Sequence, residues 1–193
     1  MPDQSPPHPD PGPAPVRRGH RPAEAESLMM DAAFFRKIFL FQNLEEDEIH
    51  QVLSRTDRRE FSAEAVIIQE GEPGDSLFIM AAGEVEITKQ LTLVLDEDTP
   101  KERVMIRLKA ENGVYFGEMA LLESETRSAT VTASTDCSLL ELHQKDFLEL
   151  IERNPAMGVK LLLRLAQILS RHLRKTNQDV VKLTTALAVS LGG

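Results

Sequence analysis

The chain has 193 residues, of which 41% are hydrophobic and 27% charged, so it is long enough to bury a sizeable core beneath a polar surface. No run approaches the ~18 apolar residues of a membrane span, and no apolar stretch near the N-terminus resembles a secretory signal. A single cysteine excludes an internal disulfide, and the net charge of −9 argues against binding nucleic acid through bulk charge. We therefore expect a cytoplasmic protein without a membrane segment.

The N-terminal segment is rich in proline, with eight of the eleven prolines falling within residues 1–22. Proline excludes helix and central strand, and few apolar side chains are present to offset the entropy of ordering. We predict that residues 1–25 form a disordered tail.

Two helices are predicted next, over residues 26–41 and 44–55. In the first, apolar residues recur at steps of three and four, which is the spacing of one helix face. In the second, Asn43 is a candidate N-cap before an acidic first turn, and Ile49 and Leu53 are i, i+4 partners.

Short apolar runs separated by Gly, Asp and Pro occupy residues 57 to about 143. The candidate strands are AVIIQ, SLFIMAA, EVEITK, TLVL, RVMIRLK, ATVTAS and SLLELH. The polar segment LDEDTPKER is a candidate hairpin tip between two of them. This pattern predicts a mainly β domain with flanking helices, built on an antiparallel β-roll or jelly roll.

The C-terminal part of the chain is predicted to be helical again. KDFLELIERN favours a short helix that stops before Pro155, because the residue before a proline leaves the α region. One long helix follows, with Pro155 acceptable in its first turn. The predicted units are the tail at 1–25, helices plus β-roll at 26–155, and a long helix at 156–193.

Two glycine-containing segments of the β region are candidates for a binding site. In the first, Gly71 and Gly74 flank Pro73 and precede Asp75, which is the composition of a tight turn between strands. On its own, this segment predicts only a hairpin.

The second segment, residues 113–133, begins a short helical turn at Phe116-Gly117-Glu118. Backbone amides without internal partners form a small anion site there, and Gly117 lets an anion approach the backbone closely. Nine residues after Glu118, Arg127 offers planar donors suited to two phosphate oxygens. One guanidinium, without a P-loop lysine or a cluster of metal-binding carboxylates, fits the single charge of a phosphate diester.

Glu118 needs a separate explanation, because an ionised carboxylate repels a phosphate. As a pure acceptor it suits a ribose hydroxyl, so the pattern predicts a 3′,5′-cyclic nucleotide with its free 2′-hydroxyl. The chemistry alone leaves open a second interpretation, in which Glu118 complements a helix N-terminus and Arg127 forms a surface ion pair.

Residues 67–83 and 116–133 resemble the two signature segments of the cyclic-nucleotide-binding domain family. The first keeps both turn glycines, four apolar residues and a closing glycine. The second keeps FGE, a small residue at Ala120, Arg127 followed by Ser-Ala, and an alternating strand. The resemblance covers about residues 27–178, and it implies a β-roll with flanking helices that binds a cyclic nucleotide.

In that family the glutamate of FGE holds the ribose 2′-hydroxyl and the arginine of the second segment holds the cyclic phosphate. The resemblance therefore implies these roles for Glu118 and Arg127. It further implies phosphate contacts from the amides near Met119 and Ala120 and from the hydroxyl of Ser128.

One branch of the family, the transcription activators, reaches the purine with a threonine and the next polar residue on the long helix. The matching positions are Thr176 and Asn177, where Asn stands in place of that branch's usual Ser. The implied ligand-binding set is Phe116, Gly117, Glu118, Met119, Ala120, Arg127, Ser128, Thr176 and Asn177. Cyclic AMP (cAMP) is the expected ligand, with cyclic GMP (cGMP) left open because the hydroxyl of Ser128 can also serve guanine.

Apolar residues on the long helix recur at alternating steps of three and four. This seam consists of Ala166, Leu169, Leu173, Thr176, Val180, Leu183 and Leu187. It predicts a two-fold helix–helix dimer, since a separate stripe of Leu161, Leu165 and Ile168 is available to pack on the roll. Seventeen residues follow Thr176, fewer than the ~50 of a DNA-binding domain, so no such domain is expected in this chain.

The expected function is that of a regulatory sensor, without cofactor, metal or catalytic residues, that signals as a homodimer to a separate effector protein. An enzyme on a similar β-roll would need clustered metal ligands, yet His50, His143 and His172 are scattered along the chain. Two further alternatives stay open: a ligand-independent scaffold with a degenerate pocket, and a receptor for cGMP or a cyclic dinucleotide.

Overall fold

The computed structural model describes residues 32–90, 102–123 and 126–191. Eight strands in these ranges form two antiparallel sheets of four strands each, which confirms the predicted β-roll. The strands are β1 (Asp57–Phe61), β2 (Val66–Ile68), β3 (Ser76–Ala82), β4 (Glu84–Gln90), β5 (Glu102–Lys109), β6 (Tyr115–Phe116), β7 (Thr130–Ala133) and β8 (Cys137–His143). Their order is β1-β8-β3-β6 in the first sheet and β2-β7-β4-β5 in the second.

Side chains from both sheets pack into one apolar cluster. The first sheet contributes Phe78, Met80 and Leu139, and the second contributes Val85 and Val131, each at most 5% exposed. Burying an aliphatic or aromatic side chain of this size stabilises the fold by about 1.5–3 kcal/mol. The cluster therefore holds the two sheets together and fixes the loops at their ends.

Two of the eight strands escaped sequence prediction. β1 reads DRREF, with four charged residues in five, and it pairs only with β8 at the edge of the first sheet. An edge strand exposes much of its length to water, so it needs no apolar alternation. β6 has two residues, too few to show any period. The predicted tail at 1–25, the strand TLVL and most of the polar hairpin tip lie outside the described residues.

The helix predicted over 26–41 is wrong for its described part. Residues Ala32–Phe35 form a four-residue helix, α1, and Phe39–Phe41 form a separate 3-10 turn. Ile38 and Leu40 are each at most 1% exposed, although residues two apart lie on nearly opposite faces of an α-helix. The break lets both side chains enter the same core.

The second helix, α2, runs over Glu46–Leu53, inside the predicted range. Its N-cap is Glu45, so the prediction of Asn43 as N-cap is wrong. The backbone N–H of Glu45 donates to the Glu48 carboxylate, whereas the side-chain oxygen of Asn43 accepts a hydrogen bond from Arg164. The acidic residues themselves begin this helix, because a carboxylate three residues in can satisfy the N-cap amide.

The two C-terminal helices agree with the sequence prediction. α3 (Gln144–Arg153) ends before Pro155, and α4 (Pro155–Leu191) continues in one piece from that proline. Leu161, Leu165 and Ile168 are at most 3% exposed and pack against the helices and the first sheet. From residue 170 onward, every described side chain of α4 is exposed, although Arg171 still contacts Phe39 and His172 still contacts Glu118.

Candidate functional site

The two glycine-containing segments lie side by side in the structure. The N–H of Gly71 donates to the carbonyl of Arg127 at 2.9 Å, and the N–H of Arg127 donates to the carbonyl of Glu72 at 2.8 Å. An isolated antiparallel bridge joins Pro73 to Thr126. The turn after β2 therefore forms one wall of the site that contains Arg127.

Arg127 is half-buried, and its guanidinium is held by a single residue of β3. Its Nη1 donates to the backbone carbonyl of Ser76 at 2.7 Å, and its Nη2 donates to the Ser76 hydroxyl at 3.1 Å. Burial lowers the pKa of Arg127, while the negative charges of Asp75 and Glu141 act in the opposite direction. The group stays protonated, because an arginine is not deprotonated in proteins.

Two glycines leave the space that this guanidinium occupies. A Cβ atom at Gly74 would lie 2.0 Å from Nε of Arg127, and one at Gly117 would lie 2.9 Å from its Nη1. Gly117 also has a φ of 82°, a left-handed value that favours glycine. From the sequence, Gly71 and Gly74 were both predicted to be needed for the backbone conformation of the turn. That holds for Gly71, with φ 84°, whereas Gly74 has no left-handed φ and is needed for its lack of a side chain.

A cavity of about 120 Å³ lies beside the guanidinium. Six of the nine predicted ligand-binding residues line it, together with two that the sequence did not indicate. The described residues that line it are Gly117, Glu118, Met119, Ala120, Glu123, Thr126, Arg127 and Ser128. Glu123 and Thr126 could have been suspected only from their place between Glu118 and Arg127, since neither belongs to a recognisable pattern.

The other three predicted residues do not line this cavity. Phe116 is 4% exposed, and its ring stacks on Phe78 with centroids 5.6 Å apart, so it supports the site from the core. Thr176 and Asn177 lie on the exposed distal part of α4. The assignment of these two residues to base contact stays a prediction.

The predicted helical turn at FGE is a 3-10 helix over Glu118–Leu121, with Gly117 as its N-cap. The N–H of Ala120 donates to the carbonyl of Gly117 at 3.2 Å. The expectation that this amide lacks an internal partner is therefore wrong. A 3-10 helix closes its hydrogen bonds one residue earlier than an α-helix, so fewer amides at its start stay free.

The sequence profile of the Cyclic nucleotide-binding domain family matches residues 58–154. The matched range includes both glycine segments and the whole described wall of the cavity. The chain belongs to the cyclic nucleotide-binding domain family.

Relatives of this cyclic nucleotide-binding domain include signalling proteins of several kinds. The crystal structure of the catabolite activator protein of Thermus thermophilus is 32% identical, with a TM-score of 0.66 over 76% of this chain and 63% of that one. The cyclic AMP receptor protein of the same organism is 32% identical over 141 residues, which are 73% of this chain and 60% of the receptor. The cGMP-dependent protein kinase egl-4 of Caenorhabditis elegans is 35% identical over 130 residues, 66% of this chain and 15% of the kinase. This chain thus spans less than two thirds of the length of each.

In this cyclic nucleotide-binding domain, the carboxylate of Glu118 contacts the long helix. Its Oε1 lies 3.5 Å from Nδ1 of His172 on α4, an ion pair when the imidazole is protonated. Burial raises the pKa of the neighbouring Tyr115 to about 12, the charge of Glu118 adds to the shift, and that of Arg171 opposes it. His172, for which no role was predicted, therefore connects the cavity to α4.

The described ranges contain no group of three or more His, Cys, Asp or Glu side chains placed to hold a metal ion. Within the same residues, no helix is long and apolar enough to cross a membrane. Among the described residues that line the cavity, Arg127 is the one cation, and the others supply carboxylates and neutral groups for recognition.

Proposed function

We propose that the protein is a regulatory module that binds a 3′,5′-cyclic nucleotide, with cAMP preferred, in the cavity beside Arg127. The observation that carries this proposal is the state of the guanidinium. Two neutral oxygens of Ser76 hold it, and no carboxylate among the described residues forms a salt bridge with it. A half-buried cation that no carboxylate pairs with directly keeps donors available and is suited to bind an anion.

The remaining lining supports a cyclic nucleotide over other anions. Glu118 faces the same cavity with its side chain 14% exposed, and a carboxylate there would repel a free phosphate that carries two charges. A cyclic diester carries a single charge and leaves the ribose 2′-hydroxyl free to donate to Glu118. Ser128, also in the lining, supplies a hydroxyl to the phosphate or the base.

The preference for cAMP over cGMP rests on similarity. The relatives named above include both a cyclic AMP receptor and a cGMP-dependent kinase, and the match covers 73% of this chain with the receptor against 66% with the kinase. A cyclic dinucleotide is the third ligand to be compared in the test.

The decisive experiment is calorimetric titration of cAMP, cGMP and a cyclic dinucleotide into the wild type and Arg127→Ala. We expect wild-type binding of cAMP and a loss of about 100-fold in Arg127→Ala, because a charge-assisted contact worth about 3 kcal/mol disappears. Arg153→Ala is the matched control, since Arg153 is exposed on α3 and pairs with Glu149. Equal affinities of wild type and Arg127→Ala would reject the assignment, and no binding at millimolar concentration would favour the scaffold.

The proposed module acts as a homodimer through the seam of α4. Leu173, Val180, Leu183 and Leu187 are 52–71% exposed in the single chain, although they are apolar and spaced for one helix face. A second copy that packs along this face would remove it from water, with the polar Thr176 at its centre. Since His172 of the same helix contacts Glu118, ligand binding and helix pairing would influence each other.

We further propose that the module works in the cytoplasm, has no catalytic role of its own and passes its signal to a separate effector protein. Cys137, the chain's one cysteine, is free and buried, and burial raises the pKa of its thiol. An inert, reduced thiol is in keeping with a reducing compartment. The family's ligand-responsive fold supports the regulatory role.

A further inference from the structure

Glu141 is a buried carboxylate that lies behind Arg127. It stands on β8, the strand between β1 and β3, and is 8% exposed. Moving a carboxylate out of water is strongly unfavourable unless hydrogen bonds and charges compensate it. The groups that surround Glu141 therefore define its role.

Three side chains of the described residues contact this carboxylate. The Ser76 hydroxyl donates to Oε1 at 2.9 Å, and Nε2 of His143 lies 3.8 Å from the same oxygen. Nε of Arg59, from β1 on the side away from β3, lies 3.4 Å from Oε2. Of these three, Ser76 is the residue that also holds the Arg127 guanidinium.

The direction of the hydrogen bonds makes Ser76 a link between Glu141 and Arg127. A carboxylate only accepts, so the single hydroxyl proton of Ser76 is directed to Glu141. The oxygen then presents its lone pairs to Nη2 of Arg127, which donates to it at 3.1 Å. With Nη1 on the Ser76 carbonyl, two of the five guanidinium donors are used, and among the described residues no hydrogen bond engages the other three.

This indirect arrangement also suits the charge of the site. A carboxylate that paired directly with Arg127 would occupy the donors that an anionic ligand needs. Glu141 instead acts through one serine, so its negative charge supports the half-buried cation without occupying those donors.

From this arrangement we infer that Glu141 is a positioning residue: through the Ser76 hydroxyl, it holds the Arg127 guanidinium in the orientation that binds the anionic ligand. The inference rests on the proposed function, because ligand affinity is its readout. The competing account is that Glu141 only ties β1 to β3 through Arg59 and Ser76 and affects folding alone.

The test is a double-mutant cycle read by calorimetric titration with cAMP. We expect Ser76→Ala to weaken binding about tenfold and Glu141→Gln about fivefold, because a charge-assisted link is lost or becomes neutral. The double variant should bind no more weakly than Ser76→Ala, since both changes break one link. Arg59→Gln is the matched control, because it removes a partner of the same carboxylate on the side away from the cavity, and its affinity should stay within about twofold of the wild type.

The results separate a positioning role from a structural one. The ligand 2′-deoxy cAMP lacks the hydroxyl that is proposed to bind Glu118. Because the variants leave Glu118 unchanged, each should reduce the affinity for 2′-deoxy cAMP by the same factor as the affinity for cAMP. Unchanged affinity in folded Glu141→Gln, or losses that multiply in the double variant, would overturn the inference. If Glu141→Gln does not fold, the affinity of Ser76→Ala for cAMP decides the question. An unchanged affinity in that variant would show that the Ser76 hydroxyl does not position Arg127. If the wild type binds no cyclic nucleotide, the proposed function fails as well, whereas normal wild-type binding with unchanged variants overturns the inference alone.

Discussion

Gly74→Ala is expected to weaken ligand binding strongly while leaving the fold intact. The new Cβ would lie 2.0 Å from Nε, 2.4 Å from Cζ and 2.7 Å from Nη2 of Arg127. Real Cβ contacts essentially never fall under 3.0 Å, so the guanidinium has to move by about 1 Å. A shift of that size would break or greatly lengthen the two hydrogen bonds from Arg127 to Ser76, which are now 2.7 Å and 3.1 Å long.

The expected losses of stability and affinity follow from the fact that the Arg127 side chain moves while the backbone stays in place. The clash is with the end of a flexible side chain, and Gly74 has no left-handed φ, so an alanine fits the backbone. The loss of two partly exposed hydrogen bonds is offset in part by the lower entropy of the unfolded chain, which leaves a destabilisation of about 1 kcal/mol. Misplacement of the phosphate-binding donors should weaken cAMP binding about 10- to 100-fold, which corresponds to about 1.4–2.8 kcal/mol.

Gly71→Ala is the matched control within the same turn. No atom lies within 4 Å of its Cβ position, but its φ of 84° is strained for alanine. That strain costs about 1 kcal/mol and lowers the melting temperature by about 2–4 °C, similar to the cost at Gly74. Calorimetric titration and thermal melts of both variants should therefore show similar stabilities and very different affinities. Wild-type affinity in Gly74→Ala would refute the reasoning, as would an equal loss in Gly71→Ala.

Two further predictions concern the long helix. Leu173→Glu, which places a charge in the seam, should convert a dimer to a monomer in light scattering, while Gln178→Glu adds the same charge off the seam and should keep the dimer; an unchanged mass for Leu173→Glu argues against the seam. Lys160 donates to both oxygens of Glu48 at 2.9 Å and 2.7 Å, and although burial works against the shift, these bonds and the Glu45 amide lower the pKa of Glu48 from its ordinary 4.5. A lowered folded-state pKa contributes stability above about pH 4.5 that is lost as pH falls through the folded-state pKa. The melting temperature of Glu48→Gln should therefore lie below that of the wild type at pH 6, and the gap should narrow as the pH falls below about 4.5; a gap that does not narrow contradicts the pairing.

Helix and strand positions could be predicted where side chains repeat with a clear period. The run SLFIMAA coincides with β3, and α3 and α4 meet at Pro155, because burial of one face and the geometry of proline are local properties. β1 could not be predicted, since its partner β8 lies about 80 residues away and supplies the hydrogen bonds that its charged sequence does not suggest. The same limit explains the break between α1 and the turn at Phe39–Phe41, which the shared core imposes.

The sequence alone was sufficient to predict the roll, the long helix and the segment that contains Gly117, Glu118 and Arg127. Turn residues, apolar periods and motif spacing are local properties that can be recognised from the order of residues. Only the tertiary structure decided which groups surround Arg127. Ser76 lies 51 residues from it, and Glu141 lies 65 residues from Ser76, yet hydrogen bonds join them. Sequence separation says nothing about such proximity, since it arises from strand pairing in three dimensions.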